Sequence, residues 1–265
     1  MTILDTIIAR KKEELAARRQ QTSIAELEKM PLFAKETLSL SASLVHPSKT
    51  GIIAEFKRRS PSKGLINGTA TVTEVTEAYA ANGASGISVL TDTDFFGGEL
   101  ADLEAATINT VPLLRKDFMI DEYQFVEAKA HGADVILLIA ACLSAARVKE
   151  LAAVAVKLGL EVLLEIHNEQ ELDHICEEVT MVGVNNRNLK TFEVSLEPSL
   201  QLIEKMPKEK PGIAESGINS VDTILTLQKA GFKGFLIGEN FMKQADPSIA
   251  FADFVRELKA KQNAL

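Results

Sequence analysis

Tryptophan is missing from this 265-residue chain, and cysteine and tyrosine occur twice each. Neither Cys142 nor Cys176 stands in a metal-ligand spacing, so both read as buried, reduced thiols rather than as a disulfide framework. No apolar run approaches the roughly 20 residues of a membrane span. The first twenty residues interleave Arg10, Lys11, Lys12, Arg18 and Arg19 with acids and lack an apolar core, which excludes a signal peptide. An excess of positive charge is also lacking. The formal net charge is -8 and the isoelectric point about 5.2, which argues against a general nucleic-acid or anionic-membrane binder. There is no Gly-x-Gly-x-x-Gly after the first apolar run, and His46, His131, His167 and His174 make no ligand set. No metal and no cofactor is indicated. The expectation is a soluble, cytoplasmic chain.

Residues 3 to 18 place Ile3, Leu4, Ile7, Ile8, Leu15 and Ala16 near helical spacing, an amphipathic helix in need of a surface. Ser23 and Glu26 form a capping-box pattern for a second, short helix. Leu38 to Thr50 reads as a polar connection. After residue 50 the chain repeats one unit: short apolar run, polar loop, amphipathic helix, glycine. The candidate strands are Gly51 to Phe56, Gly86 to Leu90, Val111 to Leu114, Asp134 to Ile139, Glu161 to Ile166, Met181 to Val184, Gly212 to Glu215 and Gly234 to Ile237. Gly83, Gly132, Gly159 and Gly231 stand where helices end. Thr71 with Glu74, Asp121 with Gln124, Asn168 with Glu171, and Asp246 before Pro247 mark helix starts. Eight βα units of near-continuously apolar strands predict an α/β fold, a (β/α)₈ barrel, with a doubly wound open sheet as the alternative. The expected organisation is a single domain over residues 1–265: a helical extension over 1–50 and the barrel over 51–265.

In such a barrel the C-terminal strand ends carry the site. Glu55 and Lys57, Lys116, Glu165, Asn185 with Arg187, and Glu215 fall there. Strand alternation sends Lys116 inward and Arg115 toward the helices or the rim. Glu165 follows two leucines, surroundings that favour a raised pKa suited to a general base; a structural ion pair with a barrel lysine is the other reading. The turns Glu215-Ser216-Gly217 and Gly238-Glu239, after the seventh and eighth strands, suit an anion, with Ser60 joining from the first loop. Glu239 fits only if its carboxylate turns away while its amide donates.

The motifs Glu55-Phe56-Lys57-Arg58-Arg59-Ser60-Pro61-Ser62-Lys63-Gly64, Leu114-Arg115-Lys116-Asp117-Phe118, Leu164-Glu165-Ile166-His167, Val184-Asn185-Asn186-Arg187-Asn188-Leu189 and Ala214-Glu215-Ser216-Gly217-Ile218 together resemble those of the indole-3-glycerol-phosphate synthases of tryptophan biosynthesis, along essentially the whole chain. The resemblance implies a carboxy-lyase, without cofactor, that ring-closes 1-(2-carboxyphenylamino)-1-deoxyribulose 5-phosphate with loss of carbon dioxide and water. It implies Lys116 as general acid, Glu165 as base or stabilising anion, and Lys57 as carboxylate clamp or second acid. Glu55, Asn185 and Glu215 then orient the substrate, with Arg187 paired nearby. Phe96, Phe118 and Leu189 wall the anthranilate ring, and Ser60, Ser216, Gly217, Gly238 and Glu239 hold the phosphate. Arg58-Arg59 and Asn67 depart from the Lys-Ala and arginine that many members carry, which bears on closure of the first loop. The fused second barrel of some members, phosphoribosylanthranilate isomerase, is not expected. Another phosphosugar barrel such as that isomerase, or a non-catalytic phosphoribosyl-ligand binder, are the competing readings. The only expected partner is a phosphorylated small molecule; neither nucleic acid nor membrane is expected, and the chain is expected to be a monomer.

Overall fold

Every one of the eight apolar runs becomes a strand. The computed structural model describes residues 2–188 and 191–264. The barrel strands are β1 (Ile52–Phe56), β4 (Gly86–Leu90), β5 (Leu113–Lys116), β6 (Val135–Ile139), β7 (Glu161–Ile166), β8 (Met181–Asn185), β9 (Gly212–Glu215) and β10 (Gly234–Ile237). All pair in parallel, and the sheet closes where Ile52 of β1 meets Phe235 of β10. The fold is therefore a closed (β/α)₈ barrel. β5 begins two residues later than expected, because Pro112 has no amide to give the ladder. The expected helix-ending glycines adopt positive φ, 94° at Gly83, 86° at Gly132, 74° at Gly159 and 115° at Gly231, the region that only glycine enters without strain.

The helices between and after the strands are α4 (Val72–Ala81), α5 (Thr93–Phe96), α6 (Leu100–Ala106), α7 (Tyr123–Ala130), α8 (Ala145–Lys157), α9 (Glu197–Leu202), α10 (Val221–Ala230), α11 (Glu239–Met242) and α12 (Pro247–Asn263). Thr71 and Asp246 cap α4 and α12. Asn168 also caps, but the element it opens is a 3₁₀ turn, Glu169–His174. Asp121 and Gln124 bond across the start of α7, although the helix proper opens at Tyr123. A short antiparallel hairpin, β2 (Arg59–Ser60) with β3 (Gly64–Leu65), fills the first loop. Arg58 at its base grips Asp102 of α6 and lies over the Phe56 ring, 4.9 Å from its centroid.

Before β1 come α1 (Ile3–Gln21), α2 (Ile24–Leu27), a 3₁₀ turn (Pro31–Ala34) and α3 (Leu40–Val45). The expected capping box at Ser23 and Glu26 is present. The expected polar connection over Leu38 to Thr50 is corrected: α3 lies within it and inserts Leu40 and Leu44 into the barrel's interior cluster with Ile53, Leu137, Leu163 and Ile213. Glu161, at the start of β7, accepts from the Leu40 and Ser41 amides at 2.7 and 3.0 Å and anchors this plug at the N-terminal end of the strands. The cysteines are likewise only half-buried, and free.

α1 crosses to the opposite end. Lys11, 2% exposed, puts its ammonium 3.0 Å from Asp92, 2.9 Å from Asp117 and 2.8 Å from Glu14. Arg115, 1% exposed, meets Asp117 at 3.0 Å and Glu127 at 2.8 Å, and Glu127 also receives Arg18. Burial pushes the Lys11 ammonium down in pKa, but Asp117 and Asp92 outweigh it and hold it above its ordinary value. These buried charges are stable only because each has opposite partners at contact distance.

Candidate active site

The C-terminal ends of the strands open into a cavity of about 660 Å³. Strand alternation sends Glu55 and Lys57 into it together, and Lys116 enters while Arg115 turns under the helices. Of the residues expected from the sequence, Glu55, Lys57, Ser60, Phe96, Lys116, Phe118, Glu165, Asn185, Arg187, Glu215, Ser216, Gly217, Gly238 and Glu239 all line this one space. Leu189 lies outside the described residues.

At its floor, the Lys116 ammonium stands 3.0 Å from Glu165 and 3.4 Å from Glu215. Asn185 donates to the other Glu165 oxygen at 3.1 Å, and Nε2 of His167 lies 3.2 Å from that same oxygen. Lys57 donates to Glu55 at 2.7 Å. Burial lowers the Lys116 pKa, but Glu165, Glu215 and Glu55 outweigh it, so the amine stays protonated.

The expected raised pKa of Glu165 is corrected. Burial pushes it up, but Lys116, His167 and Asn185 overcome that and hold it well below the usual carboxylate range. Its leucine neighbours in sequence do not decide its surroundings; side chains from β5 and β8 do. Glu215 takes the raised position instead. Burial, with Glu165 and Glu55 adding to it against Lys116, brings its carboxyl to about 8. One Glu215 oxygen is buried and has no hydrogen-bond partner among the described residues. The space it occupies exists because residue 183, on the neighbouring strand, is glycine: a Cβ there would collide with that oxygen.

Phe96 and Phe118 make one wall, their ring centroids 6.0 Å apart at 40°. Phe96 comes from α5, whose N-cap is Asp92, the same carboxylate that holds Lys11. Ile3, Leu4 and Ile7 of α1 line the cavity too. The sequence reading gave them only a surface to lie on; their i, i+1, i+4 spacing was the available signal.

The far end of the cavity is built from backbone. Ser216 and Gly217 both have positive φ, 66° and 73°, a conformation costly for serine and a mark of functional turns. Gly238 caps α11 and passes so close to β1 that a Cβ would lie 2.5 Å from Glu55 Oε1. The Ser60 hydroxyl is buried with no hydrogen-bond partner among the described residues. The Glu239 carboxylate turns toward Arg187, at 3.7 Å, and toward Lys63 of the hairpin, at 4.0 Å. That orientation leaves the backbone at 238–239 facing the cavity. A floor carrying an ammonium among carboxylates, an aromatic wall and a backbone-lined anion end suit a phosphorylated aromatic substrate.

Comparisons with known proteins agree with this geometry. The family model described as indole-3-glycerol phosphate synthase matches residues 4–254. A protein of that name from Bacteroides thetaiotaomicron is 46% identical over 258 residues, covering 97% of this chain and 99% of the relative. Another, from a Polaromonas species, is 42% identical over 255 residues, covering 94% and 97%. Among solved structures, a tryptophan synthase complex from Pyrococcus furiosus aligns with TM-score 0.61 at 16% identity, covering 80% of this chain and 99% of that one. A structure titled "Native KDPGal structure" aligns with TM-score 0.58 at 14% identity, covering 83% and 98%; both likenesses bear on the fold alone. With the match spanning nearly the whole sequence and the motif residues gathered in one cavity, this chain belongs to the indole-3-glycerol phosphate synthase family.

Proposed function

We propose that this cavity closes the pyrrole ring of indole-3-glycerol phosphate from 1-(2-carboxyphenylamino)-1-deoxyribulose 5-phosphate, acting as a carboxy-lyase. The observation that carries the reading is the protonated Lys116 set between Glu165 and Glu215 at the floor of an aromatic-walled cavity. Lys116 protonates the ketone oxygen as the carboxyl-bearing ring carbon attacks. Glu165, kept anionic, stabilises the iminium that forms on the ring nitrogen and later removes the methylene proton. Lys57, braced by Glu55, holds the substrate carboxylate before it leaves or protonates the departing hydroxyl. Asn185 fixes the Glu165 carboxylate and, with Arg187, the loop after β8. Ser60, Ser216, Gly217, Gly238 and the Glu239 amide take the phosphate, while Phe96, Phe118 and Leu189 flank the anthranilate ring. We further propose that the chain works as a single-domain monomer in the cytoplasm. Among the described residues, no helix is long and apolar enough to cross a membrane.

Purified protein mixed with the carboxyphenylamino substrate develops indole fluorescence; silence with retained binding leaves a ligand binder in place of an enzyme. The Glu215 carboxyl, raised to about 8 by burial and by its carboxylate neighbours, is a neutral hydrogen-bond donor at neutral pH and becomes an anion as pH rises through that value. The expected kcat/KM profile therefore falls on its basic side near pH 8, and Glu215→Gln removes that limb. A wild-type profile that is flat across this range rejects the assignment.

A further inference from the structure

We propose that Glu171, His167 and Glu165 form a proton relay from the surface to the floor of the cavity, returning the proton that each turnover consumes. The inference rests on the ring-closure reading of the site. In that reaction the ketone oxygen takes up one proton as the new carbon–carbon bond forms. Carbon dioxide then departs, leaving the bonding pair to restore the aromatic ring and neutralise the iminium. The resulting hydroxyl takes a second proton and departs as water, while the methylene carbon releases one. Two protons enter the substrate and one comes back, so the ammonium and carboxylates at the floor end each cycle one proton short. Solvent must supply it.

Besides the mouth of the cavity, which the substrate must use, the turn after β7 offers a second connection to the floor. His167 is the first residue after that strand, its ring set between two carboxylates: Nε2 lies 3.2 Å from Glu165 Oε1, and Nδ1 lies 3.4 Å from Glu171 Oε2. Nε2 is buried and has no aligned hydrogen bond at rest, so the ring is near its inner acceptor without being locked onto it. Glu171 is fixed by the His167 amide at 2.6 Å and by the Asn168 side chain at 2.8 Å. Side-chain exposure rises along the path, from 3% at Glu165 to 12% at His167 and 13% at Glu171. Inward, the path continues from Glu165 to Lys116 at 3.0 Å.

The other titratable neighbour is Cys142, from the turn Ala140–Cys142. Burial, with Glu165 and Glu171 adding to it and Asp5 of α1 contributing last, pushes its thiol up to about 12, so it stays neutral. Burial lowers the His167 pKa, but its two carboxylates outweigh that and bring it to about 10. The ring is therefore loaded with a proton at neutral pH. His167 is a positioning and relay group: it acts on the reaction through Glu165.

The test compares His167→Ala, His167→Gln and Glu171→Gln with wild type in the indole-fluorescence assay. The expected result is a kcat loss of roughly tenfold or more in both His167 variants, on the scale of a lost proton-transfer group, with KM little changed. Added imidazole restores kcat in His167→Ala, where it can enter the vacated space, and not in His167→Gln, where the amide fills it. Glu171→Gln loses less, in the same direction, and steepens the fall in rate at basic pH. Unchanged kcat in both His167 variants overturns the relay. So does a loss that imidazole leaves untouched while the pH profile keeps its wild-type shape, since that pattern marks packing alone. Inactive wild-type protein instead overturns the ring-closure reading. Lys116→Ala, whose low rate added imidazole does not raise, separates the relay from the acid it feeds.

Discussion

Lys116→Ala lowers kcat by about a thousandfold, within the range for removing a positioned acid, and leaves the barrel folded. The amine is the cation that meets both Glu165 and Glu215, and ring closure develops negative charge on the ketone oxygen at that place. Without it, the attack proceeds with no cation beside the developing oxyanion. KM changes far less, because Phe96 and the turns after β9 and β10 stand on other elements and Phe118 keeps its place against Phe96. The fold survives because Asn185 and His167 still hold Glu165 and because Glu215 already carries its proton at neutral pH. Steady-state fluorescence gives kcat and KM, and circular dichroism gives the melting curve. Wild-type turnover in this variant removes Lys116 from the chemistry.

Asp117→Ala costs about 3–5 kcal/mol of stability, the scale for breaking a buried ion pair by removing one partner. Asp117 stands one residue beyond Lys116 and does a different job. One oxygen receives Lys11 at 2.9 Å and the other receives Arg115 at 3.0 Å and Thr91 at 2.7 Å. Its loss leaves Lys11 to Asp92 and Glu14, and Arg115 to Glu127, each with less opposite charge than burial demands. The denaturation midpoint in urea should fall while the slope of the transition stays constant. Burial raises the Asp117 pKa, but Lys11 and Arg115 outweigh it and set the carboxyl well below its ordinary 3.8. The stability it contributes is therefore present above that value and lost as pH falls below it. The gap between wild type and variant should narrow in acid. An unchanged midpoint at neutral pH means that Lys11 and Arg115 are satisfied without Asp117.

The barrel was legible because its signals are local. An apolar run, a capping residue and a helix-ending glycine each act within a few residues, and eight repetitions leave little choice of architecture. The site was legible in membership, since alternation along a strand decides which of Arg115 and Lys116 faces the cavity. What alternation does not give is the company a side chain keeps. Glu165 looked like a carboxylate in apolar surroundings because Leu163 and Leu164 precede it, but its pKa is set by residues from β5 and β8 and by the turn after β7. Lys11 read as one charge among several on a helix, and it is the most buried of the described charged residues of α1. α3 was missed for the same reason: among serines, Leu40 and Leu44 look like loop residues, and the carboxylate that fixes them, Glu161, is more than a hundred positions away.

Barrel closure also sets a timetable for synthesis. β1 has two neighbours, β4 and β10, and the second of these is the last strand to be made. α1 leaves the ribosome before any barrel strand, yet the partners of Lys11 lie at Asp92 and Asp117 and those of Arg18 include Glu127. α1 must therefore remain undocked through much of translation, a nascent helix with Ile7 and Leu15 unburied. A slow final closing step is what a chain with such distant first contacts calls for, and its refolding should end in a phase set by the pairing of β1 with β10.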